Sequence, residues 1–155
     1  MDINPEKALF DLTMLNANVQ DQTFDTESVK LLNLGLPPEV VTRLKEIWEK
    51  TKVIGNEVVA VGKIIVKKIV DFMLNNTGLT IGLVIGAALA TLVSSAIPFI
   101  GPMLAPLVLT LTALYGYNLQ EGGRDSLLYS AIKLAKEFFD LIISIFTAVA
   151  SYVRE

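Results

Sequence analysis

Glu137 and Asp140 stand one helical turn apart and are the chain's nearest approach to a carboxylate pair able to do acid–base chemistry. Such chemistry needs a cleft and a second group to hold or take the proton. The chain has no His, which removes the commonest general base and the commonest metal ligand. It also has no Cys, so thiolate catalysis and a disulfide framework are absent. Neither a phosphate-binding glycine loop, nor G-x-G-x-x-G, nor G-x-S-x-G occurs. The expectation is therefore no catalytic residue, no cofactor, no metal and no enzyme. Glu137 and Asp140 read as polarity on a helix.

Composition points the same way. Across 155 residues, 52% are hydrophobic and 19% charged, rich in apolar and poor in charge for a globular domain. The formal charge is −3, and no basic patch is interleaved with aromatics, so nucleic acid is not an expected partner. Residues 1–36 hold six acids and two bases, an acidic segment of short helices suited to a protein partner. Asn4-Pro5-Glu6 starts one helix to about Val19, and Asp25 or Thr26 caps a second before Gly35.

The chain's main feature is what it omits between Asp71 and Glu121, where there is no Asp, Glu, Lys or Arg. Leu79 to Ile97 measures about 28 Å as a helix, close to the roughly 30 Å hydrocarbon core of a bilayer. Pro98, Gly101, Pro102 and Pro106 then stop one helix and start another. Met103 to Leu119 follows, with Tyr115 and Tyr117 near its end. Residues 77–120 thus predict a transmembrane helical hairpin with its turn at 98–102, ahead of the alternative of a hairpin buried in a water-soluble bundle and shielded by its neighbours. Lysines and arginines flank both crossings and spare the turn, which places both termini on the cytoplasmic side of a membrane. Gly78, Gly82, Gly86, Ala90 and Ser94 recur every four residues, a glycine-zipper ridge for close helix packing, either between protomers or against Ala105, Thr112, Ala113 and Gly116.

The flanks read as amphipathic helices. In residues 37–76, Val40, Leu44, Ile47, Thr51, Ile54, Val58, Val61 and Ile65 step by four and three, a heptad seam. Lys63, Lys67 and Lys68 precede the hairpin and are candidates for headgroup contact. In residues 121–155, Gly122-Gly123 breaks the chain and Asp125 caps a helix running to Val153. Its polar residues Ser126, Ser130, Lys133, Glu137, Asp140, Ser144, Thr147 and Ser151, with Arg154 next, form a narrow stripe, either the water-facing side of a core helix or a candidate lumen lining in an oligomer.

The order of parts, amphipathic helix, apolar hairpin with a Pro-Gly turn, amphipathic helix, resembles the hydrophobic hairpin of pore-forming colicins and α-helical pore-forming toxins. It is similar in organisation to holins and thylakoid-curvature hairpin proteins. The likeness is one of layout and implies oligomerisation and membrane permeabilisation. The expected fold is all-α, a membrane hairpin flanked by long amphipathic helices, four to five helices in total. The expected function is a self-assembling pore with lipid and further copies of itself as partners. The alternative is a structural protein that coats or bends a bilayer, or a lipid-embedded capsid-type subunit, without conductance.

Overall fold

The fold, seen in a computed structural model, is described for residues 4–95, 97, 99–116 and 126–153. Asn4 accepts hydrogen bonds from the Glu6 and Lys7 backbone N–H groups, at 2.8 and 3.3 Å, and so caps α1, Pro5–Val19. Helix α2, Phe24–Asn33, ends at Gly35, whose φ of 94° places it in the left-handed region. There the Leu36 N–H bonds to the Leu31 carbonyl and the Gly35 N–H to that of Leu32, and buried Leu36 closes the helix end. Pro37 and Pro38 then open α3, Pro38–Trp48.

The expected seam of residues 37–76 is interrupted. After α3 come strands β1, Lys52–Ile54, and β2, Glu57–Val59, paired antiparallel with Val53 opposite Val58. Gly55-Asn56 makes the turn, with Gly55 at φ 64° as a tight hairpin turn requires. Helix α4, Val61–Asn75, follows at once. The run Val53-Ile54-Gly55-Asn56-Glu57-Val58-Val59 carries that signal: β-branched residues either side of a turn dipeptide outweigh a heptad count.

Helices α5, Ile81–Ser94, and α6, Gly101–Tyr115, come from the uncharged run, and α7, Ser126–Val153, closes the chain. The described residues are thus helical in seven elements, an all-α architecture with one small β-hairpin in place of the expected four or five helices. Helix α5 packs against α4, α6 and α7, while α4 also meets α1, α2 and α3. These two form the inner pair. Val84, Ile85, Ala87, Ala88, Leu89 and Leu92 of α5 are at most 2% exposed, and Ile64, Ile65, Val66, Ile69 and Phe72 of α4 at most 1%.

The expected membrane hairpin does not form. Among the described residues no helix is long and apolar enough to cross a membrane. Helix α5 has 14 residues and α6 has 15. At ~1.5 Å per residue both reach little over 20 Å against a core of roughly 30 Å. Helix α7 is long enough but carries Lys133, Lys136, Glu137 and Asp140. The membrane localisation with cytoplasmic termini falls with this. So do the descriptions as a membrane protein with transmembrane helices, a glycine zipper and a pore-forming hairpin. The physical reason is that Asn76 to Thr80, and then Ser95, Ile97, Phe99 and Ile100, lie outside helix, so the described part of the uncharged run forms short helices, and protein encloses the first of them. Pro98, Tyr117, Gly122, Gly123, Arg124, Asp125 and Arg154, on which parts of the expectation rest, lie outside the described residues.

Two positions fix the inner pair. A Cβ on Gly62 would stand 1.7 Å from the Ile47 carbonyl oxygen, because α3 and α4 touch backbone to backbone there, and the Gly62 N–H donates to the Lys50 carbonyl at 3.0 Å. Thr91, 5% exposed in α5, has no hydrogen-bond partner for its hydroxyl among the described residues. Gly62→Ala should cost about 3 kcal/mol or more, since backbone atoms cannot step aside as a side chain does. Thr91→Val should be neutral or stabilise by about 1 kcal/mol, because an unbonded buried hydroxyl is replaced by a methyl of the same shape. Urea denaturation followed by the fluorescence of the single tryptophan, buried Trp48, reads both. A Gly62→Ala protein of parental stability would contradict the close approach.

Candidate functional site

Helix α6 is the part of the fold least accounted for by packing. It has no charged residue, yet only Leu104, Leu107 and Leu111 are buried. Those three, spaced three and four apart, lie on α3 and α5 and occupy one narrow stripe. Ala105, Pro106, Leu109, Thr112, Ala113 and Leu114 face outward, with Leu109 71% exposed. The hydroxyls do not make this face polar. Thr110 Oγ1 donates to the Pro106 carbonyl at 3.0 Å and Thr112 Oγ1 to that of Val108 at 2.9 Å. Both hydroxyls thus spend their donor on the helix's own backbone. Gly116, at φ 68°, ends the helix through an N–H bond to the Thr112 carbonyl at 2.9 Å. Partial burial of the Tyr115 ring pushes its phenol above the usual tyrosine range, by desolvation.

Charge frames this apolar strip. A groove of about 600 Å³ between α3 and α6 is lined by Glu39, Thr42 and Arg43 on one side and Leu109, Ala113 and Leu114 on the other. Arg43 pairs with Glu46 at 3.1 Å along α3. Beyond it, Glu49 and Lys50 meet Pro102 and Pro106 at the other end of α6. The strip is therefore apolar along its centre and edged by both signs of charge.

The residues singled out in the sequence scatter over the fold. In the small-residue ridge, Gly82 and Gly86 are buried within the bundle, Ala90 is half-buried, and Gly78 and Ser94 are exposed. The partners expected for that ridge, Ala105, Thr112, Ala113 and Gly116, face outward instead. Of the turn residues, Gly101 and Pro102 begin α6, and Pro106 lies inside it. On α7, Ser130, Lys133, Glu137, Asp140, Thr147 and Ser151 are exposed and Ser144 is half-buried, so the stripe is the outer face of that helix. Glu137 and Asp140 share an open groove with Lys133 and Lys136.

The three lysines expected at headgroups are occupied within the bundle. Lys63 Nζ donates to the Gln20 and Gln22 carbonyls, at 3.2 and 3.3 Å, and lies 5.7 Å from the Trp48 ring centre. Lys67 sits 3.6 Å from Glu27 and 3.7 Å from Asp71. Lys68 lies 5.9 Å from the centre of the Phe138 ring.

Two structural residues carry little signal in the sequence. Asn16 of α1 clamps the β-hairpin: its Nδ2 donates to the Val58 carbonyl at 3.2 Å, and its Oδ1 accepts from the Ala60 N–H at 2.8 Å. Nothing local marks it. Glu27 is wholly buried between Lys30, at 3.4 Å, and Lys67. Its signal is positional, a carboxylate on the inward face of α2 between Phe24 and Leu31. Among the described residues no three His, Cys, Asp or Glu side chains gather as a metal site would need. No family model matches the chain, and no curated protein or solved structure is found to be similar to it.

Glu27→Gln should destabilise by about 1–3 kcal/mol, since a buried charge pair loses one member and keeps its desolvated surroundings. Replacing Glu27 and Lys67 together by methionine should restore most of that loss, because an apolar pair of similar volume needs no compensation. Thermal melts of the single and double variants measure the difference. A double variant less stable than Glu27→Gln would show that the pair itself holds α2 to α4.

Proposed function

We propose that the protein is a non-catalytic assembly module, a helical bundle that binds a second copy of itself through the outer face of α6. The observation that carries this reading is the exposure of an uncharged helix: Leu109 is 71% exposed and Leu114 43% on a face whose threonine hydroxyls donate to the helix's own carbonyls. Contiguous apolar surface of this kind marks an interaction site.

A second copy suits the face better than an unrelated partner. A two-fold interface is self-complementary, so a patch that meets itself needs an apolar centre and edges carrying both signs. Leu109, Thr112 and Ala113 supply the centre, with small residues that let two α6 helices approach closely. Glu39, Arg43 and Glu46 supply the edge, where Arg43 of one copy can meet a carboxylate of the other. The absence of His and Cys, and the lack of a metal-ligand cluster among the described residues, support a role without chemistry.

Sedimentation equilibrium between micromolar and millimolar protein tests the proposal. The parent should dimerise, and Leu109→Glu should weaken the dimer by tenfold or more, about 1.4 kcal/mol, as a charge enters the apolar centre. The variant's melting temperature should stay near the parent's, since Leu109 is exposed in the single copy. Leu134→Glu, on the outer face of α7, serves as the control and should leave association unchanged. A parent that stays monomeric throughout sinks the reading. The pore function is read alongside it with dye-filled vesicles, where assembly without leakage supports the module and leakage favours the pore instead.

A further inference from the structure

A second surface, between α1 and α7, is built differently from the face of α6. Helices α1 and α7 pack together, and between them runs a groove of about 440 Å³. Its apolar lining includes Leu15, Phe138, Ile142 and Ile145, the last two at most 4% exposed. Met14 and Leu141 stand at its lips, 49% and 56% exposed. This is an apolar trough held open by side chains that remain in water.

The charged groups lining it are Lys7, Asp11 and Lys68. Lys7 and Asp11 neutralise one another, 3.3 Å apart across one turn of α1. Lys68 is different. No described carboxylate lies within ion-pair distance of it, and its ammonium is held over the Phe138 ring, 5.9 Å from the centre. Among the described residues, one uncompensated positive charge thus stands over the aromatic wall of an apolar trough. Asn18 adds an amide to the same lining.

The geometry points to a binding site for a single-chain anionic amphiphile, its hydrocarbon chain in the α1–α7 groove and its carboxylate on Lys68. The volume falls in the range of small-molecule sites, roughly 300–1,000 Å³. It is too small for a docked helix, whose diameter with side chains is about 10–12 Å. A two-chain lipid would leave one chain outside. The sign of the head group follows from Lys68, since the groove's one carboxylate, Asp11, is already paired with Lys7 and a cationic head would meet the Lys68 ammonium uncompensated. This site is independent of self-association through α6.

Isothermal titration of the full chain with dodecanoate, kept below its micellar concentration, reads the site directly. One molecule should bind per chain. Dodecyltrimethylammonium, with the same tail and opposite charge, should bind at least tenfold more weakly. Lys68→Glu should lower dodecanoate affinity tenfold or more while leaving the circular-dichroism melt near the parent's. Ile145→Trp, which fills the trough, should abolish binding; Leu141→Trp at the lip does the same with less demand on the core. Equal binding of the two head groups, or Lys68→Glu affinity equal to the parent's, overturns the proposal. So does binding to phosphatidylglycerol vesicles with none to monomeric dodecanoate.

Discussion

The fold depends on covering α5. Fourteen residues with no charge expose a backbone and side chains that water disfavours on every side, and an isolated helix of that length is marginal. Its stability comes from burial, at about 1.5–3 kcal/mol for each large aliphatic side chain removed from water. Helix α4 lies along one side of it, α6 along another and α7 along a third. Glycine and alanine at Gly82, Gly86, Ala87 and Ala88 keep the helix thin enough for that many neighbours to reach it. The aromatic contacts follow the same demand, with Phe72 set against Phe138 and Phe139, and Phe99 against Phe146, all at 5.5–5.7 Å between ring centres.

Enclosing an apolar helix leaves the outer elements to manage polarity. Where α2 crosses α4, the chain buries Glu27 and supplies two lysines whose stems remain partly in water, so the cost of desolvating the pair falls mainly on the carboxylate. Lys63 brings its ammonium over the Trp48 ring and donates with it to the Gln20 and Gln22 carbonyls just after α1. Asn16 then ties the β-hairpin to α1 through both ends of its amide. These contacts lie far apart in sequence, with separations of about forty residues. They join the N-terminal helices to the centre.

Coverage is unequal, and the inequality bears on function. Helix α5 has neighbours around it, whereas α6 rests on α3 and α5 by a single leucine stripe. A helix so apolar is stable at a surface only at a cost in hydration, which association relieves. The α1–α7 groove is a second incomplete closure, a trough left between the side chains of two packed helices. The first gap is broad, uncharged and edged by both signs. The second is narrow and carries one cation that no described carboxylate neutralises. Their chemistry separates a protein-sized occupant from a small one.

Much of the secondary structure is written locally. The Asn4 cap, the Gly35 stop and the proline pair before α3 are set by residues within one turn of the boundary they make, so the sequence alone determined them. The lack of His and Cys likewise narrows the chemistry whatever the fold. The continuous seam expected from Val40 to Ile65 resolves into two short helices with a hairpin between them, because apolar spacing at Ile54 and Val58 serves a strand as well as a helix. What only the tertiary structure decided was the surroundings of the uncharged run. A leucine gains nearly the same free energy on leaving water for lipid as for a protein interior, so hydropathy cannot say which will receive it. The answer lay in α4, just before the run, and in α7, which comes back to it from later in the chain; both supply the apolar faces that a bilayer would otherwise have provided.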